Sequence, residues 1–540
     1  MRKTFTLPLT SALALAIAGC TGSNTTSTPN DTAASAETSG PATTAPYQET
    51  FRPQFHFTPK ENWMNDPNGL VYHNGEYHMF YQYNPYGDKW GHMSWGHAIS
   101  KDLVHWEEQK VAIPEDEEYM IFSGSAVVDH HNTSGFGTKD NPPMVAIYTG
   151  HKQEPEKGQD QQLAYSLDNG RTWTKYAGNP VLDEGMENFR DPKVIWHEES
   201  EQWIMVVALS TDYKIAFYSS PNLKDWTFLS HFESPGSELG IWECPDLFAL
   251  PIDGDEDKRK WVLEVDLGAG EEGSVAGGSG GLYFVGEFDG KQFIPDEDAM
   301  PESESGPHQW VDYGKDFYAA VSWSDVPEED GRRIWVGWMN NWQYAQELPT
   351  SPWRSSQSIP RTLELASHDG GLKMVQEPVD ELQTLRGEQK SLSNLTVTND
   401  TRSLADWNIQ GKALEMKVTF TPGNAEVVGL NLRTGNDEKT VLRYDVSEET
   451  LALDRTQSGQ VDFHADFPGV HVAPLPLDNG QVELHVFIDW SSVEVFAHDG
   501  VVAISDKIFP QPDSEGVEVF VEGGSATFDR IEAWPLKSIW

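Results

Sequence analysis

The sequence predicts an all-β protein, built from a five-bladed β-propeller followed by a C-terminal β-sandwich. From Phe51 to Leu365 the chain consists of short β-rich runs that are broken by Gly, Asn, Asp and Pro. Hardly any stretch shows the sustained 3.6-residue periodicity of an amphipathic helix. A weak internal repeat in this part, and a different strand pattern after it, divide the chain into two β domains.

The first domain contains the repeat. Four segments share the order strand, turn of Asp, Asn or Gly, and an aromatic residue that closes a second strand: GHAISKDLVHWEE, LAYSLDNGRTWTKY, IAFYSSPNLKDWTFL and LYFVGEFDGKQFI. Polar motifs lie upstream of the hairpins, with a further one later in the chain: Asn65-Asp66-Pro67, Ser123-Gly124-Ser125, Arg190-Asp191-Pro192, Glu243-Cys244-Pro245-Asp246 and Asp312 to Asp316. Hairpins that recur at wide spacing are typical of propeller blades, so five motifs predict five blades over residues 50–370.

The polar motifs are rich in residues that favour turns. The stretch WMNDPNG, from Trp63 to Gly69, is by itself typical of a surface turn, because Pro fixes φ and Gly tolerates positive φ. We expect such Pro-containing turns where the innermost strands of the blades begin or end. These strands line the central channel, so Asp66, Asp191 and Glu243 are predicted to face one another there.

The pattern changes toward the C-terminus. Residues 371–388 are predicted to form a linker with a short helical piece, since Pro378 suits a first helical turn. After it, the runs ALEMKVTF, AEVVGLNL, VELHVFIDWSSVEVFAHDG and GVEVFVEGG alternate apolar and polar residues. Strands of a sandwich alternate in this way because one face is solvated, so residues 389–540 are predicted to form a β-sandwich.

The N-terminus has the pattern of an export signal. Two basic residues precede an apolar stretch from Leu7 to Ile17, which is too short for a stable membrane helix. Residues 1–19 resemble a bacterial lipoprotein signal, which predicts lipidation of Cys20; a plain secretory signal is the alternative. Residues 20–49, rich in Ser, Thr and Ala, are predicted to be a flexible tether. We expect a lipid anchor on a bacterial membrane, the outer membrane or cell surface being favoured over a periplasmic or secreted location.

The charge of the chain restricts its partners. Asp and Glu outnumber Lys and Arg by 85 to 38, so the formal net charge is −47. Such a surface repels nucleic acid and anionic lipid, which leaves a neutral or cationic partner and membrane contact only through the lipid anchor. The acidic excess also suits a saline habitat, where salt screens the self-repulsion of the folded chain.

Cysteine and histidine positions argue against a metal site. Apart from Cys20 the only cysteine is Cys244, so one chain cannot build a disulfide framework or a zinc cluster. His92, His97 and His105 do not have metal-ligand spacing. We therefore predict neither metal nor cofactor, and an inert buried thiol at Cys244.

The three predicted channel carboxylates suit glycoside hydrolysis. One carboxylate attacks or activates water, another protonates the leaving oxygen, and a third can hold a ring hydroxyl. Their spacing in the sequence does not assign these roles to Asp66, Asp191 and Glu243. The alternative is that all three are structural carboxylates of a propeller channel.

Seven motifs in order make the chain resemble glycoside hydrolase family 32, the invertases, inulinases and levanases that cleave β-fructofuranosides. The motifs are HFTPKENWMNDPNGL, FYQYNP, WGH, FSGSAV, FRDPKV, WECPDLF and FIDWSSVEVF. The resemblance covers nearly everything after the tether. It implies the same two-domain fold as the residue patterns do.

The resemblance also implies roles for the carboxylates. Asp66 corresponds to the nucleophile and Glu243 to the general acid/base, whereas Asp191 corresponds to the residue that holds fructose hydroxyls. The reaction then retains configuration, with the first two carboxyls about 5–5.5 Å apart. Arg190, beside Asp191, is expected to donate to ring hydroxyls and to keep Asp191 ionised.

The neighbours implied to bind the terminal fructose are Asn65, Gln82, Trp90, Ser123 and Arg190, with Trp342 as a wall of the pocket. Trp90 and Trp342 could instead serve hydrophobic packing, and Ser123 could instead cap a turn. The expected substrates are levan, inulin and sucrose. Asp at position 66 and the motif GWMNNWQYA resemble exo-acting members, which release fructose one unit at a time.

Several other functions remain open at this stage. The stretch YSLDNGRTWTKY matches a turn of sialidase propellers, and an inverting arabinan hydrolase has a related five-bladed propeller with carboxyls about 6.5–9.5 Å apart. An endo-levanase of the same family is a further alternative. From another class, the chain could be a glycan-binding lipoprotein without catalytic activity. The preferred fructan and the oligomeric state are not determined by the sequence.

Overall fold

The computed structural model describes residues 46–154, 158–234, 239–268, 273–297, 308–368 and 371–540. The predicted signal peptide, Cys20 and nearly all of the predicted tether lie outside these ranges. Helices in the described ranges are short 3-10 turns at Glu198–Ser200, Ser210–Asp212, Ala345–Glu347, Asp380–Leu385 and Ala405–Trp407. No helix of this part of the chain has the length and apolar character needed to cross a membrane.

The first 22 strands of the described chain build the N-terminal domain. The first group is β1 (Asn62–His73), β2 (Glu76–Asn84), β3 (Ser94–Ser100) and β4 (Trp106–Glu108). The second is β5 (Tyr119–Val128), β6 (Met144–Lys152), β7 (Gln159–Ser166), β8 (Thr174–Lys175) and β9 (Leu182–Met186). The third is β10 (Phe189–His197), β11 (Gln202–Leu209), β12 (Lys214–Ser220) and β13 (Thr227–Phe232).

The remaining strands of this domain form two further groups. The fourth is β14 (Trp242–Ile252), β15 (Asp255–Leu267), β16 (Gly280–Phe288) and β17 (Phe293–Pro295). The fifth is β18 (Tyr318–Ser322), β19 (Arg333–Trp338), β20 (Trp353–Arg354), β21 (Arg361–His368) and β22 (Gly371–Pro378). Within each group the strands pair antiparallel, except that β20 leaves its group and pairs parallel to β1.

The groups are the blades of a propeller. The innermost strands β1, β5, β10, β14 and β18 contact one another in cyclic order, the last touching the first. The parallel pairing of β20 with β1 ties the end of the domain to its beginning, which closes the ring. The predicted five-bladed propeller is confirmed.

Every innermost strand carries a register shift close to its start. The shifts lie between Met64 and Pro67, Ile121 and Gly124, Arg190 and Lys193, Glu243 and Asp246, and Tyr318 and Val321. A shift of this kind is a β-bulge, which re-aims the side chains around it. Proline is tolerated there because the innermost strand is an edge of its blade. The motifs thus lie near the starts of the innermost strands, as expected, but they form bulges inside the strands instead of turns.

The WMNDPNG stretch shows how such a strand is built. A second register shift follows between Asn68 and Val71, and Gly69 between them has φ +52°. A Cβ atom at Gly69 would lie 2.7 Å from the ring of Trp95, so a larger residue would collide there. The turn-forming residues therefore serve two consecutive bulges in β1.

The C-terminal domain contains β23 (Lys390–Ser403), β24 (Leu414–Thr421), β25 (Val427–Thr434), β26 (Lys439–Asp445), β27 (Thr450–Gln457), β28 (Val470–Pro474), β29 (Val482–Asp489), β30 (Ser492–Ala497), β31 (Val502–Lys507) and β32 (Gly516–Pro535). The first part of β32 pairs with β25 and the second part with β24. The long strand therefore joins two layers, whose inward side chains such as Val418, Leu430 and Ile531 are buried together. The predicted β-sandwich is confirmed.

The expected linker differs from the structure. Gly371–Pro378 forms β22, which pairs with β21 as an outer strand of the fifth blade. Along the chain, a short segment with the helical turn Asp380–Leu385 leads from this blade to the first strand of the sandwich. Residues 371–378 alternate too weakly for the pattern to predict a strand, and the neighbouring blade supplies the pairing.

The fifth polar motif faces the sandwich. Asp312 Oδ1 accepts a hydrogen bond from the Ser505 backbone at 2.8 Å, and Asp316 Oδ2 accepts one from the Lys507 backbone at 2.8 Å. The innermost strand of this blade begins only at Tyr318. This motif therefore joins the two domains, unlike the other four, which lie in innermost strands.

Candidate active site

A pocket of about 180 Å³ opens at the end of the propeller channel where the innermost strands begin. It is lined by Asn65, Asp66, Gln82, Trp90, Phe122, Ser123, Arg190, Asp191, Glu243 and Trp342. The structure thus brings together all nine sugar-site residues suggested by the sequence, from five blades. The lining residue that sequence reasoning missed is Phe122, although it adjoins Ser123 in the FSGSAV motif.

Asp66 is buried in the wall of the pocket. Its Oδ2 accepts a hydrogen bond of 2.6 Å from Ser123 Oγ, and its Oδ1 accepts one of 3.0 Å from Asn65 Nδ2. Burial raises the pKa of Asp66, the Ser123 hydrogen bond opposes this, and the charge of Glu243 adds to the rise. Two donors hold the carboxylate in one orientation, as an attacking group requires.

Asn65 is itself held from behind. Its Oδ1 accepts a hydrogen bond of 2.7 Å from Trp63 Nε1, which leaves its amide nitrogen directed to Asp66. Gln82 on the next strand donates to Asn68 Oδ1 at 2.8 Å. The polar side of the pocket is therefore fixed by a network within the first blade.

Asp191 stands in the bulge of β10 with φ +66°. Its backbone N–H donates to Thr149 Oγ1 at 2.9 Å, and its Oδ2 accepts from the Cys244 backbone at 3.1 Å. Burial raises its pKa to about 7, against the lowering effect of Arg190, while the charges of Glu243 and Asp66 raise it further. Arg190 lowers the pKa of Asp191, as expected, but burial raises it by more.

Arg190 pairs with Glu243. The guanidinium donates to Glu243 Oε1 from Nε at 3.0 Å and from Nη2 at 2.8 Å, whereas its Nε lies 3.8 Å from Asp191 Oδ2. Its Nη1 is held by Asn188 Oδ1 at 3.1 Å. Glu243 is more accessible than the other two carboxylates, with 17% of its side chain exposed.

Tyr318 contributes a contact that sequence reasoning missed. This buried residue opens the innermost strand of the fifth blade, and its hydroxyl donates to Glu243 Oε2. Burial raises the pKa of Tyr318 well above its usual value, so the hydroxyl keeps its proton and remains a donor. The signal available in the sequence was the fifth polar motif, which ends two residues before Tyr318.

Aromatic side chains form the apolar walls. Trp342 stacks on the buried Trp63 with ring centroids 6.0 Å apart and also packs 4.7 Å from Trp338. Trp90, another lining residue, meets Phe122 edge to face with ring centroids 6.0 Å apart. Trp90 is 39% exposed and stands at the rim. Flat apolar walls beside a few fixed polar groups suit a sugar ring.

Cys244 lies beneath the carboxylates. Its Sγ is 3.7 Å from Asp66 Oδ2, and burial raises the pKa of its thiol well above the usual value. The thiol therefore stays protonated and acts as a weak donor to Asp66. In the described ranges no group of three or more His, Cys, Asp or Glu side chains is arranged to hold a metal ion.

The arrangement supplies the parts needed for acid/base and nucleophilic chemistry at one carbon. A buried, doubly hydrogen-bonded Asp66 and a more accessible Glu243 occupy the same small pocket in different environments. Such pairs of carboxylates divide the roles of nucleophile and proton donor in glycoside hydrolysis.

Comparisons with known proteins agree with this chemistry. The model of the glycosyl hydrolases family 32 N-terminal domain matches residues 56–378, and that of the family's C-terminal domain matches residues 381–535. A levanase of Bacillus subtilis strain 168 is 50% identical over 501 residues, which cover 92% of this chain and 72% of the levanase. An extracellular exo-inulinase of Aspergillus ficuum is 41% identical over 522 residues, covering 92% of this chain and 96% of the relative.

The structural comparison leads to the same family. The crystal structure of exo-inulinase from Aspergillus awamori matches with a TM-score of 0.85 and 39% identity, covering 92% of this chain and 100% of that chain. Together with the family models over both domains, these similarities exclude the sialidase and arabinan-hydrolase alternatives. The chain is a member of glycosyl hydrolase family 32.

Proposed function

We propose that this glycoside hydrolase cleaves β-fructofuranosidic bonds and releases fructose from the ends of levan and inulin, and from sucrose. The observation that carries the proposal is the single-sugar pocket that holds Asp66 and Glu243 together. The relatives named levanase and exo-inulinase support fructans as the substrate class. The net charge of −47 does not oppose a neutral polymer.

The proposed reaction has two steps. The Asp66 carboxylate attacks the anomeric carbon, the glycosidic C–O bond breaks, and Glu243 gives its proton to the leaving oxygen. Water then attacks the fructosyl ester and returns a proton to Glu243, which frees fructose and the Asp66 carboxylate. Asp191 lines the same pocket, where it can accept hydrogen bonds from ring hydroxyls. Two displacements at the same carbon retain its configuration.

The pocket volume favours exo action. About 180 Å³ is less than the roughly 300–1,000 Å³ of sites for drug-sized ligands, and it suits one sugar unit. The Trp63–Trp342 stack closes one side of this space. A chain can therefore enter by its end, whereas an endo-levanase needs an open cleft for units on both sides.

The test is the order of products. Levan, inulin and sucrose are incubated with the enzyme, and products are followed from the earliest times by chromatography. Fructose is expected as the early product from levan and inulin, and fructose with an equal amount of glucose from sucrose, while a ladder of short oligosaccharides before any fructose would contradict exo action. Transfer to methanol should give the β-fructoside, since inversion at the anomeric carbon would rule out a fructosyl-enzyme.

The variant Asp66→Asn separates an enzyme from a glycan-binding protein. It should abolish fructose release while oligosaccharide binding persists, because only the attacking oxygen is lost. Asp183→Asn, at a partly exposed carboxyl on β9, is the matched control and should remain active. Normal fructose release by Asp66→Asn would show that Asp66 is not the nucleophile. A wild-type protein that binds oligosaccharides but releases no fructose would be a glycan-binding protein.

We further propose that the chain is exported and anchored by a lipid on Cys20, on the outer membrane or cell surface. The support is the residue pattern of the first 19 residues and the tether-like composition after them. Cys20→Ser should move the protein from the membrane fraction to a soluble or unprocessed form, because acyl chains supply the anchoring free energy. An unmodified Cys20 in the mature wild-type protein, found by mass spectrometry, would contradict the anchor.

A further inference from the structure

Tyr86 has an unusual position for an aromatic residue. Its side chain is 74% exposed, more than any other large apolar residue found exposed in the described ranges. It lies in the connection between β2 and β3, which also carries Trp90 of the pocket. Gln82, two residues before the end of β2, lines the pocket too, so this connection stands at the mouth.

The connection is held in place at several points. The Tyr86 backbone donates to Asn84 Oδ1 at 2.9 Å, and the Trp63 backbone donates to Gly87 O at 3.0 Å. Asp88 forms an ion pair of 2.8 Å with Arg354, whose side chain is buried. An exposed ring on so firmly anchored a backbone is preorganised, and little entropy is lost when a ligand covers it.

The Tyr86 ring is also oriented by a neighbour. The His92 ring meets it edge to face, with centroids 5.3 Å apart and planes at 88°. His92 in turn is fixed by a hydrogen bond of 2.7 Å between Nδ1 and Glu115 Oε1. The contact with His92 restrains the Tyr86 ring on one side, whereas 74% of the residue remains exposed to solvent.

We propose that Tyr86 is a stacking platform for a sugar unit of the leaving chain, and that it makes the enzyme prefer fructan polymers to sucrose. This inference rests on the proposed function, since the pocket must hold the terminal fructose. A furanose unit presents C–H groups that pack on an aromatic ring. The exposed acids Asp116, Glu117 and Glu118, which follow Glu115, select for a neutral ligand.

The experiment compares kcat/KM for inulin, levan and sucrose in three variants. Tyr86→Ala removes the platform and Tyr86→Phe retains the ring. Phe228→Ala is the matched control, because Phe228 is 49% exposed but lies on the outermost strand of the third blade. Thermal melts accompany the kinetics and are expected to be unchanged, since Tyr86 is exposed.

Tyr86→Ala should lower kcat/KM for the two polymers about tenfold, mainly through KM, while sucrose hydrolysis is retained. Tyr86→Phe and Phe228→Ala should match the wild type. If the ratio of kcat/KM for polymers to kcat/KM for sucrose is unchanged in Tyr86→Ala, Tyr86 is not a stacking platform. The proposed function still holds in that case, provided that the wild type releases fructose. If the wild type releases no fructose from any of the three substrates, the proposed function fails, and the platform falls with it.

Discussion

The Arg190 guanidinium donates two hydrogen bonds to a single oxygen of Glu243, from Nε at 3.0 Å and from Nη2 at 2.8 Å. The other oxygen of Glu243 accepts from the hydroxyl of Tyr318. Both oxygens of the proposed acid/base therefore have a donor. Oε1 accepts two hydrogen bonds and Oε2 accepts one, so a free lone-pair site on Oε2 can carry the proton for the leaving group.

Replacing Arg190 by Lys should lower kcat/KM for sucrose about 10–100-fold, because one ammonium group cannot reproduce the forked contact with Glu243. Steady-state kinetics measure the loss. Arg171→Lys is the matched control, because Arg171 contacts both oxygens of Glu76 at 2.8 and 2.9 Å away from the pocket. Near-normal turnover in Arg190→Lys would show that the pair only stabilises the fold.

Replacing Tyr318 by Phe should lower kcat about 10–100-fold, the range expected for one hydrogen bond to a charged group. The substitution keeps the ring and removes only the hydroxyl beside Glu243. Tyr218→Phe provides the comparison, since Tyr218 of the third blade donates to Glu184 of the second blade at 3.2 Å, and its loss should not affect kcat. A Tyr318→Phe enzyme with wild-type kcat would assign Tyr318 to packing alone.

Asp191 should make the stability of the empty enzyme depend on pH. Burial raises its pKa from 3.8 to about 7. The folded state then keeps a proton that the unfolded chain loses, so the contribution to stability is full below about pH 4 and is lost as the pH rises to about 7.

Asp191→Asn cannot ionise and should remove this part of the pH dependence. Between about pH 4 and pH 7 the Tm of the wild type should therefore fall relative to that of the variant. Thermal melts over this range measure the difference, which also includes the loss of the repulsion between Asp191 and the charges of Glu243 and Asp66. Asp406→Asn, at an exposed acid of the sandwich, should follow the wild type. If the Tm difference between Asp191→Asn and the wild type does not change with pH, the pKa of Asp191 is not raised.

Arg361 should be one of the ionic ties that hold the two domains together. It is fully buried on β21, contacts Asp312 Oδ2 at 3.1 Å and forms an ion pair with Glu494 of the sandwich. Arg361→Ala leaves buried carboxylates without their partner and should reduce the free energy of unfolding by about 3–5 kcal/mol.

Chemical denaturation measures this loss. Arg402→Ala is the control, since Arg402 pairs with Asp400 at 2.8 Å on the exposed surface and should cost at most about 1 kcal/mol. Equal effects of the two substitutions would show that Arg361 contributes no more to stability than an exposed ion pair does.

Much of the pocket follows from the order of motifs in the sequence. Asp66, Asp191 and Glu243 each belong to a polar motif that precedes a hairpin, and a propeller brings equivalent positions of its blades to one channel. The repeat therefore determined that these side chains meet. The alternation of apolar and polar residues after residue 389 likewise determined the sandwich, because each strand buries one face.

The tertiary structure decided which of the side chains in the channel contact one another. A turn-forming motif inside a strand becomes a bulge only because the neighbouring strand pairs on both sides of it, and the bulge then sets where Asp191 points. Burial, which depends on the whole ring of blades, raises the pKa of Asp191 although Arg190 is its neighbour in sequence. The partner of Arg190, the donor Tyr318 and the role of Asp312 all depend on contacts across blades or domains. A repeat in the sequence fixes equivalent positions, but it carries no distances between side chains that different blades contribute.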